Sequence, residues 1–207
     1  MAGRPPVGLD PADPIGALML AGHFGVAAAA KAVQPRVPTW TYMLATQWLD
    51  VVFVPLFALG IESIDPLAGT DGGYADGVIH AEWTHSLLGA LVLSTALALL
   101  SARRWGRGAG MLLGAVSMSH WLLDLVMHHA DMPLLPGNAG DLPLLGLGLW
   151  ESHTASIIAE AALLTVGGAL YLRSGRRAGA SVRRTGTLAA VFAVGALGTL
   201  WLDVLGV

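Results

Sequence analysis

The sequence predicts an all-α protein, a single-domain polytopic bundle of about six transmembrane helices. Hydrophobic residues make up 55% of its 207 residues, charged residues make up only 12%, and the mean hydropathy is +0.65. Soluble domains contain about 25% charged residues, so this composition indicates a membrane protein. Cysteine is absent, which excludes thiolate metal sites. The basic residues form short clusters without interleaved aromatic residues, and we expect no nucleic-acid partner.

Six stretches of the chain are long and apolar enough to be membrane spans. A helix needs about 20 mostly apolar residues to cross the hydrocarbon core, because its backbone polar groups must be satisfied within the segment. Short links that contain Pro, Gly or charged residues separate the stretches, as expected for turns. The predicted spans are residues 15–33, 40–61, 85–102, 109–128, 149–172 and 186–205.

The charged residues predict the orientation of these spans. Cytoplasmic links are enriched in Lys and Arg, and ten of the eleven basic residues lie in or beside the links after spans one, three and five. The links after spans two and four carry acidic residues and no basic ones. Both termini are therefore predicted to face outward. The bias toward Ala, Gly, Leu and Arg is compatible with a GC-rich bacterium, and we expect a bacterial inner-membrane location.

Several ionisable side chains fall inside the predicted spans, where insertion costs a few kcal/mol and usually indicates a site facing the bundle interior. His120 and Asp124 lie one turn apart in span four, about 40° apart on one helix face. Such a pair can offer an imidazole nitrogen and a carboxylate oxygen to one metal ion. Similar side chains occur elsewhere in or beside the spans: His23, Asp50, His85, Glu160 and Asp203.

Each of these residues also has a purely structural interpretation. His23 could be a hydrogen-bonded packing residue, and Asp50 could bond to Gln47 or Thr46 one turn earlier. Glu160 and Asp203 lie apart from the histidines and favour a structural or supporting role. His128 and His129 could be interfacial residues in water.

Four motifs succeed one another along residues 22–124, and the resemblance that they carry extends to residue 136. They are Gly22-His23-Phe24-Gly25, Trp48-Leu49-Asp50, His80-x-x-x-Thr84-His85-Ser86-Leu87-Leu88 and Ser119-His120-Trp121-Leu122-Leu123-Asp124. In this order they resemble the motifs of the predicted membrane-bound metal-dependent hydrolases. The resemblance implies metal-ligand roles for His23, Asp50, His80, His85, His120 and Asp124. The chain departs from the family pattern at Ala81, where an Arg is usual, and at Asp50, which lacks a second acid two residues away.

The leading hypothesis is a metal-dependent hydrolase that acts at the outer leaflet on a lipid or a lipid-linked ester or phosphate. Zinc fits the ligand types best, with manganese or iron as alternatives. Glu151 and His153 are the predicted proton carriers. The main alternative is a proton or divalent-cation transporter or channel centred on Asp50 and Glu160. A haem protein is a third interpretation, for which the sequence offers no histidine pair at matched depth.

Overall fold

The computed structural model describes residues 20–66 and 77–177, together with positions 179 and 186. These parts of the chain are mostly helical, as predicted, and contain six α-helices and one antiparallel β-hairpin. In chain order the elements are α1 (Leu20–Val33), α2 (Thr39–Thr46), α3 (Trp48–Ala58), β1 (Ser63–Pro66), β2 (Gly77–His80), α4 (Leu87–Trp105), α5 (Arg107–Met127) and α6 (His153–Arg177). The hairpin is a departure from the predicted all-α class.

Three helices, α4, α5 and α6, are long and apolar enough to cross a membrane. The bent pair α2 and α3 passes the same test when it is counted as one span, which gives up to four. The described parts of the chain therefore indicate a membrane protein, with three candidate spans, or four if the bent pair is one span, where the sequence predicts six. The predicted sixth span, apart from position 186, and residues 15–19 of the first lie outside the described residues.

The predicted second span is not one straight helix, because α2 and α3 meet at an angle of 54°. Gln47 separates them with φ −106° and ψ 13°. The Thr46 hydroxyl donates a hydrogen bond to the Met43 carbonyl at 2.8 Å. Back-bonding of this kind favours a bend in a helix. The break leaves the Thr46 carbonyl available to a side chain from another helix.

The helices pack as two close pairs, α4 with α5 and α1 with α6, and α2 contacts both α1 and α5. Within the first pair, Ser94 and Ser117 share a hydrogen bond of 2.9 Å between their hydroxyls. Gly106, with φ 87°, reverses the chain between α4 and α5. Because small residues let helix backbones approach, they favour tight packing in membranes, where no hydrophobic force drives association.

The α1 and α6 backbones touch at Gly25 and Gly167, where a Cβ on Gly167 would overlap the backbone of Gly25. A Cβ on the neighbouring Gly168 would meet no atom within 4 Å. We expect Gly167→Ala to lower the free energy of unfolding by about 1–3 kcal/mol through overpacking. The matched control Gly168→Ala should be neutral or gain up to about 1 kcal/mol in helix propensity. Thermal unfolding in detergent measures both, and equal effects would contradict the close contact.

Candidate metal centre

Five of the six predicted ligand residues converge on one small cavity. His23 comes from α1, Asp50 from α3, His85 from the turn before α4, and His120 and Asp124 from the last two turns of α5. None of the five is more than 7% exposed. Phe53, Ile79 and His128 complete the described walls of the cavity. We refer to His23, Asp50, His85, His120 and Asp124 as the His/Asp cluster.

Neighbouring nitrogen and oxygen atoms of the cluster are spaced as the ligands of a metal ion are. His85 Nε2 and His120 Nε2 are 3.2 Å apart, and His120 Nε2 lies 3.0 Å from Asp124 Oδ2. Asp50 Oδ1 lies 3.4 Å from His85 Nε2 and 3.5 Å from His120 Nε2. Ligand atoms at 2.0–2.1 Å from a metal are separated by roughly 2.9–3.4 Å in octahedral or tetrahedral geometry. The observed spacings are therefore close to those of a metal's coordination shell.

His23 joins the cluster from the side of Asp124. His23 Nε2 is 3.5 Å from Asp124 Oδ1, whereas Asp124 Oδ2 faces His85 and His120. Two trios of ligand atoms can thus hold an ion, one with His23 and Asp124 and one with Asp50 and His85, and His120 belongs to both. Since an imidazole Nε2 has a single lone pair, His120 can bind only one ion at a time, in one trio or the other.

The hydrogen bond of His120 sets its tautomer. Its Nδ1 lies 2.6 Å from the Thr46 carbonyl oxygen at the break between α2 and α3. A carbonyl can only accept, so Nδ1 carries a proton, and in the neutral ring Nε2 presents a lone pair to the cavity.

His85 has the same tautomer through a different partner. Its Nδ1 is 2.8 Å from Thr84 Oγ1, and this hydroxyl lies 3.0 and 3.1 Å from the two carboxylate oxygens of Glu62. Thr84 donates a hydrogen bond to the carboxylate, and its oxygen accepts a hydrogen bond from the Nδ1–H group of His85. In neutral rings the Nε2 lone pairs of His85 and His120 would face each other at 3.2 Å beside two carboxylates, so this arrangement requires a cation or a proton between them.

Three residues that support the cavity, His128, Asp131 and Glu62, are not among the site residues predicted from the sequence. The structural interpretation of His128 as an interfacial residue in water is wrong, because His128 is 5% exposed and its Nδ1 lies 3.0 Å from Asp131 Oδ1. Because α5 ends at Met127, His128 is extended and its ring stacks on Trp150 at 4.3 Å. Glu62 is 2% exposed, although the sequence places it in an acidic link. The acid three residues after His128 is a sequence feature that could have identified this histidine. No feature of the sequence pointed to Glu62.

Three predicted site residues lie outside the cluster. His80 ends β2, where hairpin pairing brings its Nε2 to 3.3 Å from Asp65 Oδ2, and its side chain is 45% exposed. The turn after β2 therefore does not bring His80 and His85 to one ion. Glu151 lies in a short 3-10 turn and His153 begins α6; both are exposed and neither lines the cavity. Glu160 is fully buried within α6, and Asp203 lies outside the described residues.

Comparisons with protein-family models, with curated proteins and with solved structures gave no match to this chain. The resemblance to the membrane-bound metal-dependent hydrolases therefore stays a prediction, which depends on the four sequence motifs.

The cluster geometry predicts stabilisation by divalent metal. Protein stripped with a chelator should unfold at a higher temperature after zinc is added, since a ligand at 100 times its Kd stabilises by about 2.7 kcal/mol. We expect His120→Ala to abolish this shift and His80→Ala to keep it, because only His120 belongs to the cluster. Loss of the shift in His80→Ala, with retention in His120→Ala, would contradict the assignment.

Proposed function

We propose that this chain is a multi-pass membrane protein and a metal-dependent hydrolase, with one divalent cation held by the His/Asp cluster. The observation that carries the proposal is the approach of two inward-facing imidazole Nε2 atoms to 3.2 Å of each other, each with two carboxylates at 3.0–3.5 Å. Three imidazoles and two carboxylates suit zinc, and also manganese or iron. The sequence resemblance to membrane-bound metal-dependent hydrolases points to the same chemistry.

A cation bound there would lower the pKa of a coordinated water toward about 7 and so supply a nucleophile at neutral pH. The protein's own contribution is to orient the ligands and to exclude other water. Thr46 fixes the ring of His120, and Phe53 and Ile79 form apolar walls. These features support hydrolysis in an enclosed site.

His128 takes the proton-carrying role that the sequence suggests for Glu151 and His153. It lines the same cavity as the cluster, and its Nδ1 is engaged by Asp131, which leaves Nε2 for proton transfer. Asp131 is itself fixed, because its other carboxylate oxygen accepts from the Ile79 backbone N–H at 3.0 Å.

The positions of the charges support a site in the outer leaflet. Helices α1, α4 and α6 each carry basic residues in the last turn, and α5 begins at Arg107. His23 lies in the first turn of α1, and α5 reaches the cluster at its other end. If the basic ends are cytoplasmic, the cluster faces outward, as do both termini in a six-span chain. The substrate class is then a lipid or lipid-linked ester or phosphate, and the location is a bacterial inner membrane.

Elemental analysis and ester hydrolysis by the detergent-purified protein test this proposal. The probes are a long-chain 4-nitrophenyl acyl ester and a phosphatidic acid. We expect near-stoichiometric metal in the wild type, and loss of both metal and activity in Asp124→Ala. His128→Ala should keep the metal but lower the rate by about 10²–10⁴-fold. The matched control His153→Ala should change neither quantity. Full activity in Asp124→Ala would exclude the proposed centre.

A cation transporter is the second candidate, and the broken helix favours it. Transporter sites often lie where a span is interrupted and frees backbone carbonyls, as at Thr46. Glu160, which is 0% exposed, places a further buried acid in α6. Proton or zinc flux in proteoliposomes that is abolished by Asp50→Asn, without ester or phosphate hydrolysis, would support transport over hydrolysis.

A further inference from the structure

We propose that Glu62 and Thr84 are positioning residues that hold His85 in its metal-binding tautomer and so set the metal affinity of the cluster. The inference deepens the proposed function and rests on it, because it assumes that the cluster binds a metal. Neither residue lines the cavity described above. Both act through the ring of His85.

Glu62 is fixed by backbone donors. It lies in the link between α3 and β1, and its Oε1 accepts hydrogen bonds from the backbone N–H groups of Trp83 and Thr84, both at 2.9 Å. A carboxylate that is 2% exposed is costly unless such donors satisfy it. These bonds tie the link after α3 to the turn before α4, which carries His85.

We refer to the hydrogen bonds from Glu62 through Thr84 to His85 as the relay. Within it, the Thr84 hydroxyl needs a second partner. A hydroxyl can donate or accept, so Thr84 alone could stabilise either tautomer of His85. Glu62 decides between them, because its carboxylate accepts a hydrogen bond from the hydroxyl at 3.0–3.1 Å. Thr84 Oγ1 is then left to accept a hydrogen bond from the Nδ1–H group of His85 at 2.8 Å. The lone pair of His85 is thereby directed to Nε2, the atom that faces His120, Asp50 and Asp124.

His120 needs no such relay, because its Nδ1 partner is a carbonyl that can only accept. The backbone of His85 is held independently of the relay. Trp121 Nε1 donates to the His85 carbonyl at 2.8 Å, and the His85 N–H donates to the Ala81 carbonyl at 3.0 Å. Removing the relay should therefore alter the ring's tautomer and orientation while the turn stays in place.

Zinc titration of the full-length protein in detergent, with a competing chromophoric chelator, tests the relay. Thr84→Val keeps the side-chain shape but removes the hydroxyl, and we expect it to weaken zinc binding by about 10–100-fold. Thr84→Ser retains the hydroxyl and should bind close to wild type. Glu62→Gln puts amide donors beside the hydroxyl and should weaken binding in the same range. The partly buried neighbour Glu82 offers the matched control Glu82→Gln, which should bind like wild type.

Nitrogen NMR of histidine-labelled, metal-free protein gives a readout that a merely structural role would not move. The His85 signal, identified by its absence from His85→Asn, should report a proton on Nδ1 in the wild type and in Thr84→Ser. In Thr84→Val it should report the proton on Nε2. Circular dichroism and gel filtration establish that each variant is folded. If Thr84→Val unfolds the protein, Thr84→Ser and Glu62→Gln still test the relay, because the first must bind zinc like the wild type and the second must bind it more weakly.

The outcomes separate the relay from the metal centre. If the wild type binds no zinc, the proposed function fails, while the NMR experiment still reports on the relay. If the wild type binds zinc and folded Thr84→Val and Glu62→Gln bind it equally well with an unchanged His85 tautomer, the relay is overturned.

Discussion

The organisation of this protein depends on one electrostatic constraint, the concentration of three imidazoles and two carboxylates in a buried cavity. Charged and polar groups removed from water are costly unless they are paired, and the cost is higher still beside a bilayer. Here the His85 and His120 Nε2 atoms approach to 3.2 Å with carboxylates on both sides. Such an arrangement is stable only when protons or a cation are shared among the groups. The need to pair these buried groups explains why side chains from several helices and turns converge on one cavity.

Helix α5 is the framework of the cluster because it supplies His120 and Asp124, one turn apart, and contacts several neighbouring helices. Its pairing with α4 through small residues brings the turn that holds His85 against His120. The break between α2 and α3 also positions His120, because in a continuous helix the Thr46 carbonyl would accept a backbone hydrogen bond within the helix. Asp50 then enters from the first turn of α3. The irregular backbone thus lies where it has a polar partner, as membrane proteins require.

The links on this side of the bundle form a supporting layer for the cluster. Glu62 ties the chain after α3 to the turn before α4, and Asp131 ties the chain after α5 to β2. Both acids are buried, and each contacts a histidine directly or through one hydroxyl. Outer partners of this kind orient the ligands of metal sites and tune their affinity. The hairpin belongs to this layer, because Ile79 forms part of the cavity wall.

The sequence alone determined the features that depend on composition and local periodicity. A low charge content and long apolar stretches predict membrane helices, and the spacing of His120 and Asp124 predicts their shared face, because helix geometry relates residues one turn apart. Only the tertiary structure decided which residues from different elements meet. Hairpin pairing places His80 beside Asp65, outside the cluster. The end of α5 at Met127 lets the His128 side chain face the cavity, and Glu62 contacts Thr84, 22 residues later in the chain. The positions of His80 and Glu62 depend on contacts between segments distant in sequence, which no local pattern encodes.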